Sequence, residues 1–521
     1  MNKINPISII KIYFFNFFLK KPDLKLNDLE LNFQNLIFED LHKLKNIYSK
    51  IITKIDSHSL FKEYYYQSFD WLIISKKIGG VENIIKSKDN IIKWIEKKYS
   101  LFSNNWKTDI AAKRLINLIY FYDFYSQTLN EKEKKLINNC IFKHFLFVNK
   151  LLKINNFEES SINIIKASLL AKLILKENLD KINTLIDSYL NYTIDHNGFH
   201  KSYNPSYQVE FINFLYEIKN IYLYFDIKIP KVIDFQLINL TSVLNNLFHK
   251  DGSMCLFNGS NNFNQKSFNY ILNQLEDVRT KELINVKNGI AVYNDVNKKI
   301  FFDIVKPINK NINKQLHAST LSFEFSSNKE KIITNCGSLE NRSGENPEYL
   351  RYSAAHSTII INNTNISELV NKSSYKRIPK IITYITEEES LNYTLDASHD
   401  GYLDNFGKII KRKIIVSKNS NKISGLDTIL SVKKNTNKNL SFTIRFHLTP
   451  ACKCVLTNNK KSVLIKTQLN NSWIFKFKNV VRIEESIFIN DGKKVEQNKQ
   501  IVLSGIIKEM KRLEEWSLEE I

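Results

Sequence analysis

The feature that most constrains the fold is a change in the spacing of apolar residues near Gly289. Between about residues 30 and 285, apolar side chains recur every three or four positions, as in residues 115–121 and 164–173. This is the period of an amphipathic helix. Short polar turns separate the periodic stretches, so we expect antiparallel helices joined by short loops.

After Gly289 the apolar period becomes two, which predicts β-strands punctuated by Asn-Gly, Asn-Asn and Asp-Gly turns. The clearest strands are residues 300–305, 408–416, 441–448 and 473–477. A chain of 521 residues is also too long for one compact core. We therefore predict an α+β multidomain protein, with a helical bundle or toroid over residues 1–285 and an antiparallel β-sandwich over residues 286–521.

The charge balance narrows the class of partner. The formal net charge of +22 attracts polyanions, which are nucleic acid, anionic lipid or acidic polysaccharide. The lysines are scattered and form no basic tract, and neither a recognition helix nor zinc-finger spacing is present, so nucleic acid is not an expected partner. Five cysteines, an odd and low number, imply no disulfide framework.

Residues 6–19 form an apolar N-terminal stretch that Lys11 and Asn16 interrupt. It is too short to span a bilayer, and it lacks the small-residue cleavage site of a signal peptide. We expect a buried or membrane-grazing helix there and no integral membrane span.

Polar residues cluster in two places. His317 and His356 each precede a predicted strand, with a polar turn at residues 335–338 between them, so paired strands can bring the two histidines into one small site. The alternative is that each histidine caps its strand or bonds locally, as isolated histidines commonly do. The second cluster is the loop at residues 197–208, which holds two tyrosines, a histidine and a lysine. These side chains can form a polar site, or the loop can simply pack its aromatic rings on the helices.

These residues resemble the heparinase II/III-like polysaccharide lyases. Residues 315–323 (QLHASTLSF), 336–338 (CGS) and 351–358 (RYSAAHST) follow that family's His-x-His-Ala-Asp-x-Leu-Ser-Phe, Gly-Thr/Ser and Arg-x-Ser/Thr-x-Ala-His-Asn-Thr motifs in order and spacing. Three positions depart from the pattern: Gln315 replaces a histidine, Ser319 an aspartate and Ser357 an asparagine.

The resemblance extends over nearly the whole chain. Residues 106–117, 251–252 and 257–260 match motifs of the family, as does the loop at residues 197–208. That loop keeps the family's residues at Gly198, His200, Pro205 and Tyr207, whereas Ser202 and Gln208 replace a glutamate and a histidine. The resemblance implies an (α/α) toroid followed by an antiparallel β-sandwich, which agrees with the apolar spacing.

The implied activity is β-elimination in an acidic polysaccharide, where the C5 proton of a uronate is removed once the adjacent carboxylate is neutralised. The catalytic residues that the resemblance implies are Tyr207, His200, Gln315 and His356. The residues proposed for substrate binding are Arg114, Asn163, Lys201 and Arg351.

The carboxylate-neutralising positions depart from the family, because Glu158 and Glu159 stand where an Asn-His pair is usual. Neutral donors at residues 155, 156, 163 or 315 can substitute for that pair. The alternative is a non-catalytic protein on the same fold, which binds polysaccharide or assembles it in the cell envelope.

In some family members the sandwich histidines hold a structural zinc, and His317 and His356 match two of those positions. Because the turn position is the neutral amide Asn335, these residues make a poor zinc site, and we expect no cofactor, with zinc as the alternative. The expected partner is an acidic polysaccharide, and the oligomeric state is left open. The substrate favours a location in the cell envelope or periplasm, whereas the lack of a clear signal peptide favours the cytoplasm.

Overall fold

The computed structural model describes residues 60–151, 157–158, 161–262, 280–306, 312, 316–339, 348–371, 374–432 and 439–521. The helix expected at residues 6–19 lies outside this part of the chain. Contacts divide the chain into two compact units, one of residues 1–192 with 213–235 and one of residues 193–212 with 236–521. The segment of residues 197–208, which we call the Tyr207 loop, therefore belongs to the same unit as the sandwich strands.

Helices make up the first half of the described chain. They are α1 (Leu60–Ser68), α2 (Trp71–Ile78), α3 (Val81–Glu96), α4 (Thr108–Tyr120), α5 (Tyr122–Tyr125), α6 (Glu131–Leu151), α7 (Ser161–Ile174), α8 (Asp180–Thr193), α9 (Pro205–Tyr224) and α10 (Lys231–Leu244). Helix α7 is buried on every side over residues 161–171, as expected for a helix at the centre of a helical layer. Within the described residues, no helix has the length and apolar character needed to cross a bilayer.

The second half is built from antiparallel strands, with the short helix α11 (Leu403–Phe406) between two of them. The strands are β1 (Ile290–Asn294), β2 (Lys298–Asp303), β3 (Phe323–Ser327), β4 (Glu330–Thr334), β5 (Ile359–Ile361), β6 (Glu368–Asn371), β7 (Ser374–Arg377), β8 (Ile381–Glu388), β9 (Asn392–Tyr402), β10 (Lys408–Ser417), β11 (Lys422–Ser431), β12 (Leu440–Leu448), β13 (Lys453–Leu456), β14 (Ser462–Lys466), β15 (Ser472–Phe477), β16 (Val481–Phe488), β17 (Glu496–Ile507) and β18 (Lys511–Glu520). The predicted strands at residues 300–305, 408–416, 441–448 and 473–477 are confirmed.

Two eight-stranded sheets face each other. The first has the order β1-β2-β3-β4-β12-β17-β16, with β5 also paired to β12, and the second has the order β13-β14-β15-β18-β11-β10-β9-β8; β6 and β7 form a separate hairpin. Aromatic rings join the layers: Phe323 of the first sheet stacks on Trp516 of the second at 5.4 Å between ring centroids. Phe446 and Phe475 meet edge to face at 4.9 Å. The predicted antiparallel β-sandwich is thus present, and all five cysteines are free.

A buried ion pair joins the second sheet to loops of the first. Side chains of β10 alternate between buried and half-buried positions, which places Arg412 on the inward face. Its guanidinium binds both carboxylate oxygens of Asp427 at 2.7 and 2.9 Å. Its Nη1 also donates to the carbonyl oxygens of Leu321 and Ser357, at 2.9 and 2.7 Å. Asp427 accepts a further bond from Trp516 Nε1 at 3.1 Å, so the pair is well satisfied.

We expect Arg412→Met to lower the free energy of unfolding by about 3–5 kcal/mol. The buried Asp427 carboxylate and two backbone carbonyl groups would lose the guanidinium that donates to them. Urea unfolding measures the change. The matched control is Arg482→Met, since Arg482 is half exposed and its pairing with Glu484 should contribute about 1 kcal/mol or less. Equal losses for both variants would contradict a special role for the buried pair.

Candidate functional site

The loop before α9 is shaped by short polar side chains. Asp195 Oδ1 accepts from the backbone N–H groups of Asn197 and Phe199, both at 2.9 Å, which closes a tight turn. Gly198 lies in this turn at φ +94°, and a Cβ there would lie 2.7 Å from the carbonyl oxygen of Asn239. A glycine is therefore required for the loop to pack against α10.

The first turn of α9 is capped by Asn204. Its Oδ1 accepts from the backbone N–H of Tyr207 at 3.2 Å, and its carbonyl accepts the first helical bond from Gln208 at 3.0 Å. Pro205 occupies the first helical position, where its missing N–H costs nothing. The helix thus begins at Pro205, three residues before the start near Gln208 that the sequence suggested, and it holds Tyr207 in its first turn.

Gln208 fastens the loop to the helix. Its Oε1 accepts from the backbone N–H of His200 at 3.1 Å, and its Nε2 donates to the carbonyl oxygens of Gly198 and Leu240 at 3.2 and 2.8 Å. The side chain is buried, so these three bonds satisfy a group that would otherwise be costly to bury. The replacement of a family histidine by Gln208 therefore has a structural explanation within the loop.

His200 packs beside Tyr207, with 4.8 Å between the ring centroids. Its Nδ1 accepts from the backbone N–H of Ser202 at 3.2 Å, which leaves the proton of the neutral ring on Nε2. Burial, with a smaller contribution from Lys201, lowers the pKa of His200 to about 3. A buried, neutral His200 can orient the half-buried Tyr207 ring, and it lacks the second proton of an imidazolium that could serve as a general acid near neutral pH.

The two histidines of the sandwich contact each other, which is the first of the two arrangements that the sequence allowed. His317 Nδ1 lies 3.2 Å from His356 Nε2, and both side chains are buried. Burial lowers the pKa of His317 to about 3, helped by Arg351, and it also holds the pKa of His356 well below its ordinary value. Both rings are therefore neutral and share one proton between the facing nitrogens.

Asn258 joins the Tyr207 loop to the histidine pair. Its Nδ2 donates to the carbonyl oxygen of Tyr203 at 3.1 Å, and its Oδ1 accepts from the backbone N–H of His317 at 3.2 Å. Three polar side chains pack close to the neighbouring Gly259, because a Cβ built on it would lie 3.3 Å from Asn204 Nδ2, 3.8 Å from His317 Nε2 and 4.0 Å from Ser338 Oγ. The motif at residues 257–260 marks this segment in the sequence but predicts no role for it.

A fully buried glutamate behind the histidines organises the loops. Glu324 Oε1 accepts from the backbone and side-chain N–H groups of Asn335 at 2.9 and 3.2 Å, and Oε2 accepts from His249 Nε2 and the backbone of Leu256 at 2.8 and 3.1 Å. Asn335 Oδ1 in turn accepts from the backbone N–H of Ser357 at 3.0 Å. Glu324 therefore positions segments on both sides of the histidine pair, although its sequence context, inside a strand, gave no signal of this.

Two predicted substrate-binding arginines make internal contacts. Arg114 is fully buried in the helical unit, where its Nε donates to His144 Nε2 at 2.9 Å and its Nη1 to the carbonyl oxygen of Gln67 at 2.6 Å. The guanidinium also lies 4.1 Å from the ring centroid of Trp94. Arg351 is buried, and its Nε and Nη2 donate to the carbonyl oxygen of Leu316 at 3.2 and 3.0 Å. Both arginines therefore bind protein groups in this structure, and their contact with substrate stays a prediction.

The remaining predicted residues are placed as follows. Asn163 is buried in α7 of the helical unit. Lys201 is half-buried within the loop at residues 197–208, and burial lowers its pKa, partly offset by Asp195. Gln315 lies outside the described residues. Ser319, the residue that replaces a family aspartate, donates to the buried Asp303 Oδ2 at 2.6 Å.

The fit to a zinc ion is poor. Within the described ranges, no group of three or more His, Cys, Asp or Glu side chains could hold a metal. Asn335, at the predicted turn position, already bonds to Glu324 and Ser357. The facing nitrogens of His317 and His356 are within hydrogen-bonding distance of each other. We therefore derive no chemistry through zinc.

Residues 286–516 match the protein family described as Heparinase II/III-like, C-terminal. No match was found among curated protein sequences. Among solved structures, heparinase III aligns with a TM-score of 0.71 at 14% identity. The alignment covers 100% of this chain and 92% of the heparinase III chain. A heparan sulfate lyase mutant from Pedobacter heparinus aligns with a TM-score of 0.64 at 11% identity, covering 98% and 87%.

A further heparinase III structure aligns with a TM-score of 0.65 at 12% identity, covering 99% of this chain and 88% of its own. At these identities the likeness shows the fold, and the predicted (α/α) toroid followed by an antiparallel β-sandwich is confirmed. Residues 286–516 thus match the Heparinase II/III-like C-terminal family, and the chain shares its fold with the heparinase III structures.

Proposed function

We propose that the protein is a polysaccharide lyase that cleaves an acidic, uronate-containing polysaccharide by β-elimination. One observation carries the proposal: the Tyr207 loop and the His317–His356 pair lie in one compact unit, and Asn258 bonds to both. This arrangement places a titratable hydroxyl and neutral imidazoles on adjoining segments, which is the set of groups that proton transfer next to a carboxylate needs.

In the proposed reaction, a base removes the C5 proton of the uronate and the C4–O4 bond breaks. The electron pair of the C5–H bond forms the C4=C5 double bond, and the departing O4 takes a proton. We assign proton transfer to Tyr207, because its phenol is half-buried in the first turn of α9 and His200 packs against its ring. His200 is a positioning residue in this scheme, since it is neutral and buried.

We assign to His317 the role nearer the substrate, which the family resemblance had implied for His356. His356 Nε2 faces His317, whereas His317 Nε2 lies on the far side of its ring, 3.8 Å from the position that a Cβ of Gly259 would take. When His317 Nδ1 accepts from His356, its Nε2 carries the proton and can donate to a developing negative charge. His356 then fixes the tautomer of His317, and Gln315 remains a proposed donor on the same segment.

The test is to incubate the protein with a panel of unsulfated and sulfated uronate polysaccharides and to follow the ultraviolet absorbance of the conjugated C4=C5 double bond. A neutral glucan serves as the negative control. We expect absorbance to rise with at least one uronate polymer and not with the glucan. Cleavage of the neutral glucan, or products that lack the double bond, would replace the lyase assignment with a hydrolase.

A non-catalytic polysaccharide-binding or envelope assembly protein is the second candidate. The observation in its favour is that Arg114 and Arg351, two of the cations proposed for substrate binding, are both buried and donate to backbone carbonyl groups of the protein. This candidate predicts that uronate oligosaccharides bind while every polymer of the panel stays intact. An envelope or periplasmic location is part of either proposal and follows from the substrate.

A further inference from the structure

Two tyrosines beside the candidate site expose their rings. Tyr349 is 50% exposed and Tyr352 is 37% exposed, and among the described residues neither side chain has a hydrogen bond or a ring contact. No other two exposed tyrosine, phenylalanine or tryptophan side chains in the described ranges lie so close along the chain. Single exposed apolar residues are normal, whereas adjoining ones mark binding surfaces, so this pair indicates a ligand.

The two rings project from the same side of one turn. Residues Glu348–Arg351 form a 3₁₀ turn, and the backbone N–H of Tyr352 extends it by donating to the carbonyl oxygen of Tyr349 at 3.1 Å. Side chains three positions apart eclipse in such a turn, so the rings of Tyr349 and Tyr352 leave the backbone side by side. They therefore form one surface, which we call the tyrosine platform.

The turn is fixed to the segment that carries His317. The carbonyl oxygen of Arg351 accepts from the backbone N–H of Ala318 at 2.8 Å, and the Arg351 guanidinium donates to the carbonyl oxygen of Leu316. Ser353 Oγ also donates to the carbonyl oxygen of Ala318, at 2.8 Å. The buried Arg351 therefore holds the tyrosine platform beside His317, and its backbone has little conformational freedom left to lose on binding.

We propose that the tyrosine platform stacks against the flat face of one sugar ring of the polysaccharide, at a position outside the two sugars that flank the cleaved bond. The inference rests on the proposed function, because this sugar belongs to the same substrate. A tyrosine ring offers a rigid apolar face with a polar hydroxyl at its tip. The C–H groups on the face of a pyranose and the hydroxyl groups on its rim match these two parts.

A sugar fits this surface better than a second protein does. A stable protein interface buries about 800 Å² on each partner, and two partly buried rings present much less. The platform also adjoins the segment of His317, which the proposed function places beside the reacting uronate. The other sugars of the same polysaccharide chain are therefore the ligand that the proposed function brings nearest to the platform.

The experiment compares the wild type with Tyr349→Ala and Tyr352→Ala, and with the ring-retaining variants Tyr349→Phe and Tyr352→Phe. Tyr224→Ala is the matched control, because Tyr224 is 39% exposed and lies in α9. The probes are an unsulfated glucuronate hexasaccharide, the corresponding disaccharide and a neutral glucan hexasaccharide. The readout is KM and kcat where the protein cleaves the probe, and the dissociation constant from titration calorimetry where it does not.

We expect each alanine variant to raise KM or the dissociation constant for the glucuronate hexasaccharide by about 10-fold, since one stacked ring is lost. The kcat should not change, because the platform lies outside the reacting sugars. The phenylalanine variants should stay within about twofold of the wild type, since each keeps its ring. On the disaccharide, which does not extend to the platform, every variant should match the wild type. Melting temperatures should change little, because both side chains are at the surface.

Three outcomes would overturn the platform and leave the proposed function standing. In the first, the alanine variants match Tyr224→Ala on the glucuronate hexasaccharide. In the second, the phenylalanine variants bind as weakly as the alanine variants, so that the hydroxyl groups and not the rings account for binding. In the third, the alanine variants change the sedimentation coefficient but not the affinity, so that the tyrosines contact a second copy of the chain.

The neutral probe tests the proposed function separately. If the wild type prefers the glucan hexasaccharide to the glucuronate hexasaccharide, the proposed function fails, and the platform stands when the alanine variants weaken binding of the glucan. A wild type that binds neither hexasaccharide would overturn both proposals.

Discussion

Tyr207→Phe is expected to lower the rate of elimination by about 10²–10⁴-fold, the usual effect of removing a general acid–base group. Phenylalanine keeps the ring that packs at 4.8 Å against His200, so the fold should be retained. The measurement is kcat and KM on the polymer of the panel that the wild type cleaves best, with melting temperatures recorded alongside. We expect kcat to fall while KM changes little, because the hydroxyl acts in the transition state.

The matched control is Tyr224→Phe at the other end of α9, where the side chain is 39% exposed. It should leave kcat unchanged. A Tyr207→Phe variant as active as the wild type would move proton transfer to another group, and His317 Nε2 would be the next candidate. A wild type that binds uronates without cleaving any of them would support the non-catalytic candidate.

Acidification to about pH 5 is expected to lower the free energy of unfolding of the β-sandwich unit, and four of its histidines should together contribute about 8 kcal/mol of that loss, at about 2 kcal/mol each. Burial is the main cause that lowers the pKa of each to about 3, and the four are His200, His317, His399 and His447. A loss of this size matches the roughly 5–15 kcal/mol that stabilises a whole domain.

The sign follows from which state binds the protons. An unfolded histidine titrates near pH 6.5, so the stabilising contribution of each buried ring is complete above that pH and is lost as the pH falls toward 3. Asp303 acts in the opposite direction, because burial raises its pKa to about 6. The stabilising contribution of its protonated carboxyl group is complete below about pH 4 and is lost as the pH rises through 6. Acidification from pH 7 to pH 5 therefore restores only about 1 kcal/mol of the free energy of unfolding.

Urea unfolding at pH 7 and pH 5, followed by circular dichroism in the β-sheet band, measures the difference. His399→Asn is the matched variant, because an asparagine oxygen can replace His399 Nδ1 as acceptor for the backbone N–H of Gly401, now 2.9 Å away. Because asparagine does not titrate, the free energy of unfolding of this variant should fall by about 2 kcal/mol less than that of the wild type between pH 7 and pH 5. An unchanged difference, or stability that rises on acidification, would contradict the account.

The sequence alone determined the features that depend on neighbours along the chain. The change of apolar period near Gly289 predicted helices and then strands, because side-chain spacing reports directly which face of an element is buried. The alternation in β10 from Lys408 to Ser417 is an example that the structure confirms. The motif residues also pointed to the family, because their order and spacing are local properties of the chain.

The tertiary structure decided which of the polar residues meet. His317 and His356 are 39 positions apart and become partners only when the strands pair. Arg114 is internal because Trp94 and Gln67 close around it, and no local pattern distinguishes such an arginine from a substrate ligand. Burial, partner choice and pKa shifts arise from contacts between distant segments, whereas spacing in the sequence records only which side of its own element each residue occupies.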